Sequence, residues 1–151
     1  FFAPVKRDPV VGGREPIRVF RHSNASGGHL AIGAENILRD RNRAAIAIWS
    51  VGNETPISDA RNTFLRTLVG DVRRLDDTRL VSAALLVRRT TDADGIATMT
   101  LIDPMAGLLD VLAINTYNGW YGDDPLNKVP LSSWRVPADK PLVFSEFGAG
   151  A

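Results

Sequence analysis

Short apolar runs that each end in polar or aromatic residues constrain the fold of this chain more than any other feature. One run covers 46–51 and ends in Gly-Asn-Glu, a second covers 111–114 and ends in Asn-Thr-Tyr, and a third covers 142–144 and ends in Ser-Glu. Continuous apolar runs of this length are typical of parallel strands that are covered on both faces. The sequence therefore predicts a parallel sheet with its chemistry at the carboxyl ends of the strands.

Amphipathic segments separate these strands. Apolar residues at helical spacing predict one helix from Leu30 to about Asn42. A second helix begins at Ser58 or Asp59, either of which can cap its first turn, and ends near residues 76–77. A further strand is predicted over 79–86. This alternation of helices and strands is typical of a parallel sheet with right-handed crossovers.

Both a doubly wound sheet and a (β/α)8 barrel satisfy this alternation. The barrel is favoured because several separate strands end in polar residues, and barrel active sites are assembled from many strand ends. A doubly wound nucleotide-binding domain would carry a Gly-rich first turn, which the sequence lacks. A complete barrel takes about 250 residues, and this chain has 151. We therefore predict an α/β fold, an incomplete TIM barrel of central to late βα units over 30–151, after a segment 1–29 without a clear pattern.

The charge balance and the lack of cysteine narrow the possible partners. Lysine and arginine number 18 against 17 aspartates and glutamates, so no strong field favours nucleic acid or an anionic membrane. No apolar run reaches the roughly 18 residues of a spanning helix. Without cysteine, and without histidines and carboxylates at metal-ligand spacing, we expect no metal and no cofactor. The cellular location stays open.

Glu54 and Glu146 are the candidate catalytic residues. Each follows an apolar strand, so each is expected at the mouth of the barrel. Two carboxylates across a mouth suit the cleavage of a glycosidic bond: one donates a proton to the leaving oxygen and the other attacks or stabilises the anomeric carbon. A glutamate at a strand end is also commonly a solvated surface residue, and sequence spacing does not establish that the two meet.

Three segments resemble glycoside hydrolase family 2. Residues 48–54, Ile-Trp-Ser-Val-Gly-Asn-Glu, resemble its acid/base strand, and residues 145–149, Ser-Glu-Phe-Gly-Ala, resemble its nucleophile strand. Residues 115–121, Asn-Thr-Tyr-Asn-Gly-Trp-Tyr, are similar to the Asn-x-Tyr-x-Gly-Trp-Tyr segment of its β-glucuronidase branch. The three segments occur in the family's order, and the resemblance covers about 30–151.

The resemblance implies a role for each matching residue. Glu54 would be the general acid/base and Glu146 the nucleophile of a retaining β-glycosidase, which works by double displacement through a covalent glycosyl-enzyme. Asn53 would donate a hydrogen bond to the 2-hydroxyl of the sugar, and Tyr117 would hydrogen-bond the nucleophile. Further residues would bind substrate by lining the pocket: Asn115, Trp120 and Tyr121.

The implied substrate is a carbohydrate with a terminal β-linked sugar, for which residues 117–121 favour a β-glucuronide. A β-galactosidase or another β-glycosidase of the same family is the alternative. The chain reads as a piece of something longer, so the remainder of the barrel or an oligomer partner would be required, and the isolated segment is expected to be inactive. From another class, the alternative is a non-catalytic truncated barrel that binds sugar or a partner chain.

Overall fold

A computed structural model describes residues 26–118, 127–137 and 139–148, so most of the segment 1–29 lies outside the described residues. The elements along the chain are α1 (Ser26–Asp40), β1 (Ile48–Asn53), α2 (Asp59–Leu75), β2 (Leu80–Ala84), β3 (Val87–Thr91), β4 (Ala97–Leu101), a 3-10 helix (Pro104–Leu108), β5 (Val111–Thr116), a second 3-10 helix (Val129–Leu131), β6 (Ser133–Arg135) and β7 (Leu142–Phe147). Within the described ranges, no helix is long and apolar enough to cross a membrane.

A four-stranded parallel sheet forms the centre of the molecule. Its strand order, β1-β2-β5-β7, follows the order of the chain without reversal. A doubly wound sheet reverses the direction in which strands are added at its switch point, whereas a barrel adds each strand on the same side. The order therefore matches one arc of a (β/α)8 barrel, as the sequence predicts.

Helix α2 covers this sheet with the apolar face that its sequence predicts. Ser58 caps the helix, because its hydroxyl oxygen accepts a hydrogen bond from the Arg61 N–H at 3.1 Å. Leu65 and Val72 on the helix are fully buried, as is Val81 on β2. Each such side chain contributes about 1.5 to 3 kcal/mol through burial. This packing fixes where α2 starts relative to the end of β1.

Asp76 ends α2 and ties the helix to the start of the sheet. Its carboxylate accepts hydrogen bonds from Trp49 Nε1 at 2.8 Å, from the Thr78 hydroxyl at 2.6 Å and from Arg79 at 3.0 Å. Burial raises the pKa of Asp76, but the hydrogen bonds from Thr78 and Trp49 and the charge of Arg79 outweigh it and lower the pKa to about 2. Trp49 is therefore a core residue with a satisfied indole N–H.

Two elements differ from the sequence prediction. Helix α1 begins at Ser26, before the predicted start at Leu30, since its first turn holds glycines that carry no apolar periodicity. The stretch after β2 folds into an antiparallel hairpin, β3–β4, to which β6 adds in parallel. Asp92 closes the hairpin turn by accepting hydrogen bonds from the N–H groups of Asp94 and Ile96, and Gly95 supplies φ 74°.

Apolar side chains are exposed on the two outer strands of the four-stranded sheet. Ile48 lies on β1, and Val143, Phe144 and Phe147 lie on β7; Phe147 is 78% exposed. In a closed barrel, further strands pair with such edges and cover them. That the remainder of the barrel or a partner is required stays a prediction.

Candidate active site

Both candidate glutamates lie at the same edge of the parallel sheet. Glu54 directly follows β1, and Glu146 is the next-to-last residue of β7. Strands β2 and β5 separate them, so about 14 Å of sheet lies between their strands. Barrel curvature shortens that span by turning the two strand ends toward a common axis. The arrangement suits two side chains that approach each other across a mouth.

The backbone of Glu54 adopts a conformation that is uncommon for a residue with a side chain. Its φ is 44°, in the left-handed region, and the pairing of β1 with β2 breaks register between Ser50 and Asn53. The Glu54 N–H donates to the Ala84 carbonyl at 2.9 Å, which holds the turn against the end of β2. Such backbone conformations concentrate at functional sites, where the surrounding structure enforces them.

A chain of polar side chains crosses the strand ends beside Glu54. Asn115 donates from Nδ2 to the Asn53 Oδ1 at 2.9 Å and accepts at Oδ1 from the Ser145 hydroxyl at 2.7 Å. Asn115 is only 5% exposed, and both ends of its amide are used. Because the side-chain oxygen Oδ1 of Asn53 already accepts the hydrogen bond from Asn115, the side-chain NH2 group of Asn53 is the part that can donate to a ligand. This polarity suits the predicted donation by Asn53 to a sugar hydroxyl.

Tyr117 and Glu146 are joined directly. The Tyr117 hydroxyl donates a hydrogen bond to Glu146 Oε2. Tyr117 directly follows β5, and Glu146 lies on the neighbouring strand β7, where it pairs with Asn115 of β5 after a shift of register. A hydroxyl that donates to a carboxylate forms a charge-assisted bond, which is stronger than a bond between neutral groups. The contact is the one that the resemblance implied for these residues.

Trp120 and Tyr121 belong to 119–126, outside the described residues. Their predicted roles, like that of Asn115 in lining the pocket, stay predictions. Gly148, which follows β7, has φ 144°, and no heavy atom of the described residues lies within 4 Å of a Cβ built there. The positive φ of Gly148 is a backbone angle that glycine adopts without steric cost.

The structure adds a buried ion pair that the sequence did not indicate. Arg61, in the first turn of α2, donates to both carboxylate oxygens of Asp103, at 2.7 and 2.6 Å. Burial raises the pKa of Asp103, but hydrogen bonds from Arg61 and from the N–H groups of Met105 and Leu86 outweigh it and leave the pKa below its usual value. The partners are 42 residues apart, so helical periodicity could not pair them.

Comparison with known proteins decides the family. The family model described as Glycosyl hydrolases family 2, TIM barrel domain, matches residues 22–151. The chain belongs to glycoside hydrolase family 2. The match confirms the predicted resemblance, and with it the prediction of an incomplete TIM barrel.

Individual relatives match most of this family 2 chain. It is 31% identical to the β-glucuronidase of Rattus norvegicus over 132 residues, which are 82% of this chain and 18% of that protein. The β-D-glucuronidase structure of Dictyoglomus thermophilum is 28% identical with a TM-score of 0.60, over 89% of this chain and 23% of that one. The β-galacturonidase of Eisenbergiella tayi shares the fold, with a TM-score of 0.61 and 22% identity over 83% of this chain and 22% of that one. The chain spans about a fifth of the length of these relatives.

Proposed function

We propose that this family 2 domain supplies the two catalytic carboxylates of a retaining β-glycoside hydrolase. The observation that carries the proposal is the position of Glu54 and Glu146 at one edge of a parallel sheet, each beside a polar partner, Asn53 and Tyr117. Carboxylates that flank a glycosidic bond are the machinery of most glycosidases. The names of the relatives at about 30% identity support the same activity.

In the proposed mechanism, the Glu146 carboxylate attacks the anomeric carbon while Glu54 donates its proton to the leaving glycosidic oxygen. The aglycone departs, and the sugar stays bound to Glu146 as an ester. Glu54, now ionised, takes a proton from water, whose oxygen attacks the anomeric carbon and releases Glu146. Two inversions give net retention, and the carboxyl groups of such a pair lie about 5 to 5.5 Å apart.

The remaining polar contacts fit this sequence of steps. Asn53 can donate from its side-chain NH2 group to the sugar 2-hydroxyl, because its Oδ1 accepts the hydrogen bond from Asn115. Hydrogen bonds to the 2-hydroxyl strengthen in the transition state. Tyr117 holds one Glu146 oxygen, which leaves the other oxygen to attack. In this scheme Asn115 acts through Asn53, while Tyr117 touches the nucleophile itself.

For the substrate, we propose a β-glucuronide. The support is the 115–121 segment together with the β-glucuronidase names of two relatives. A β-galactosidase or another β-glycosidase of the family is the alternative.

The test uses the complete protein encoded by the reading frame that contains this chain, with 4-nitrophenyl β-glucuronide and β-galactoside. We expect hydrolysis of the glucuronide, a loss of about 10² to 10⁴-fold in Glu54→Gln and activity near background in Glu146→Gln. Glu35→Gln, an exposed glutamate of α1, is the control and should match the wild type. Unchanged turnover in either active-site variant contradicts that residue's role. A wild-type protein that hydrolyses neither substrate favours a non-catalytic barrel segment.

A further inference from the structure

The Arg61–Asp103 pair is the most enclosed ion pair among the described residues. The Arg61 side chain is 4% exposed and that of Asp103 is fully buried. The pair is bidentate, which is the geometry that gives an arginine and a carboxylate both strength and a fixed orientation. Taking both charges out of water is costly, and apolar residues of similar volume often stabilise a fold equally well. The pair therefore invites an explanation beyond stability.

The location of the Arg61–Asp103 pair indicates a role in the candidate active site. Arg61 follows Glu54 by one short loop, residues 55–58, which ends at the Ser58 cap. Asp103 accepts a further, longer hydrogen bond of 3.4 Å from the Leu86 N–H, just beyond the end of β2. The Glu54 N–H is bound to Ala84, the last residue of β2. The loop 55–58 is thus held at the end of β2 at both of its ends, by the Glu54–Ala84 backbone hydrogen bond before it and by the Arg61–Asp103 pair after it.

We propose that Arg61 and Asp103 are positioning residues. They hold Glu54 and the loop 55–58 against the end of β2 and thereby fix the orientation of the Glu54 carboxyl group. The inference rests on the proposed function. Glu54 has an uncommon backbone conformation, which persists only where the surroundings enforce it. The backbone hydrogen bond from Glu54 to Ala84 supports this conformation at the start of the loop, and the Arg61–Asp103 ion pair supports it at the end.

The expected consequence is specific to proton donation. An aglycone that is a good leaving group, such as 2,4-dinitrophenolate, departs without protonation, whereas a poor one, such as phenolate, needs the acid. A misplaced Glu54 therefore slows hydrolysis of the phenyl β-glycoside more than hydrolysis of the 2,4-dinitrophenyl β-glycoside. A loss of general stability would lower both rates by the same factor.

The experiment measures kcat/KM of the complete protein on these two β-glucuronides. In Arg61→Met/Asp103→Leu we expect the ratio of the good to the poor substrate to rise about tenfold over wild type. Glu54→Gln should raise the ratio further in the same direction. The control is Arg74→Met/Asp71→Leu, which removes an exposed ion pair of the same helix and should leave the ratio unchanged.

The outcomes separate the two hypotheses. An unchanged ratio in a folded Arg61→Met/Asp103→Leu protein overturns the positioning role while Glu54→Gln still supports the proposed function. If the double variant does not fold, Arg61→Lys, which keeps the charge, carries the same prediction with a smaller rise; an unchanged ratio there overturns it as well. A wild-type protein that hydrolyses neither these glucuronides nor the corresponding β-galactosides overturns the proposed function, and this inference with it.

Discussion

Replacing Asn115 by aspartate should reverse the hydrogen-bond polarity of Asn53. In the structure, Asn115 Nδ2 donates to the side-chain oxygen Oδ1 of Asn53, while Asn115 Oδ1 accepts from the Ser145 hydroxyl. An aspartate keeps the shape and the bond to Ser145 but offers only acceptors. The side-chain amide of Asn53 must then rotate so that its NH2 group donates to the introduced carboxylate. Its oxygen Oδ1 then points to the position from which the NH2 group could donate to a ligand in the wild type. A sugar 2-hydroxyl loses its donor at that position.

The size of the effect follows from the lost contact. A neutral hydrogen bond contributes about 1 kcal/mol net, and leaving a partner unpaired in an enclosed site adds about 1 to 3 kcal/mol. A loss of about 2 to 3 kcal/mol corresponds to a fall of about 30- to 150-fold in kcat/KM. The new negative charge acts in the opposite direction, because it attracts an oxocarbenium-like transition state.

A 2-deoxy substrate separates these two effects. The 4-nitrophenyl 2-deoxy-β-glycoside has no 2-hydroxyl but develops the same positive charge, so it reports the charge effect alone. We expect Asn115→Asp to lose about 30-fold or more on the parent glycoside relative to the 2-deoxy compound. Asn42→Asp adds the same charge at an exposed position near the opposite edge of the sheet and should leave this comparison unchanged. Equal effects of Asn115→Asp on both substrates would refute the reasoning.

Three further predictions concern single side chains. Tyr117→Phe removes the donor to Glu146 and should lower kcat/KM by about 10- to 100-fold, since hydrogen bonds to charged groups contribute about 1.5 to 3 kcal/mol; wild-type kinetics would contradict this. Because the pKa of Asp76 is lowered to about 2 in the folded protein, its contribution to stability is complete above about pH 5 and is lost as pH falls toward 2. Urea midpoints should therefore show Asp76→Asn less stable than the wild type by about 1 to 2 kcal/mol at pH 7, and this gap should narrow by about half at pH 3. Asp71→Asn, at a partly exposed position of the same helix, is the control, and a gap independent of pH would contradict the prediction. Lys140→Met removes three hydrogen bonds from Lys140 Nζ to the carbonyls that end the first 3-10 helix. It should lower the free energy of unfolding by about 1 to 3 kcal/mol, measured by the same urea assay, and an unchanged midpoint would count against this prediction.

The parallel strands and α2 could be predicted because their signals are local. The apolar run of 46–51 yields the strand Ile48–Asn53, and Ser58 caps α2 as its sequence indicates. The β3–β4 hairpin was missed although its signal is also local, with β-branched residues on both sides of an Asp-Ala-Asp-Gly turn. Its exposed residues carry no strong apolar alternation, so the apolar pattern alone predicts no strands there.

The contacts of the candidate site depend on strand register, which the sequence does not encode locally. Pairing of β5 with β7 shifts by a residue between Ile114 and Asn115, and this shift sets Asn115 opposite Glu146. The Arg61–Asp103 pair likewise joins a helix to a distant 3-10 helix cap. The resemblance to glycoside hydrolase family 2 supplied the Tyr117–Glu146 contact, but neither Ser145 nor Arg61 belongs to the roles that it implied.

The most direct test of the central claim is azide rescue of the two glutamate variants, with the anomeric configuration of the product read by proton NMR. In Glu54→Ala, the sugar ester on Glu146 still forms from a nitrophenyl glycoside, and azide attacks it from the opposite face. We therefore expect a β-glycosyl azide from Glu54→Ala. In Glu146→Ala, azide takes the place of the missing carboxylate and should give the α-glycosyl azide. The reverse stereochemistry, or no rescue of either variant in a protein whose wild type is active, would contradict the assignment.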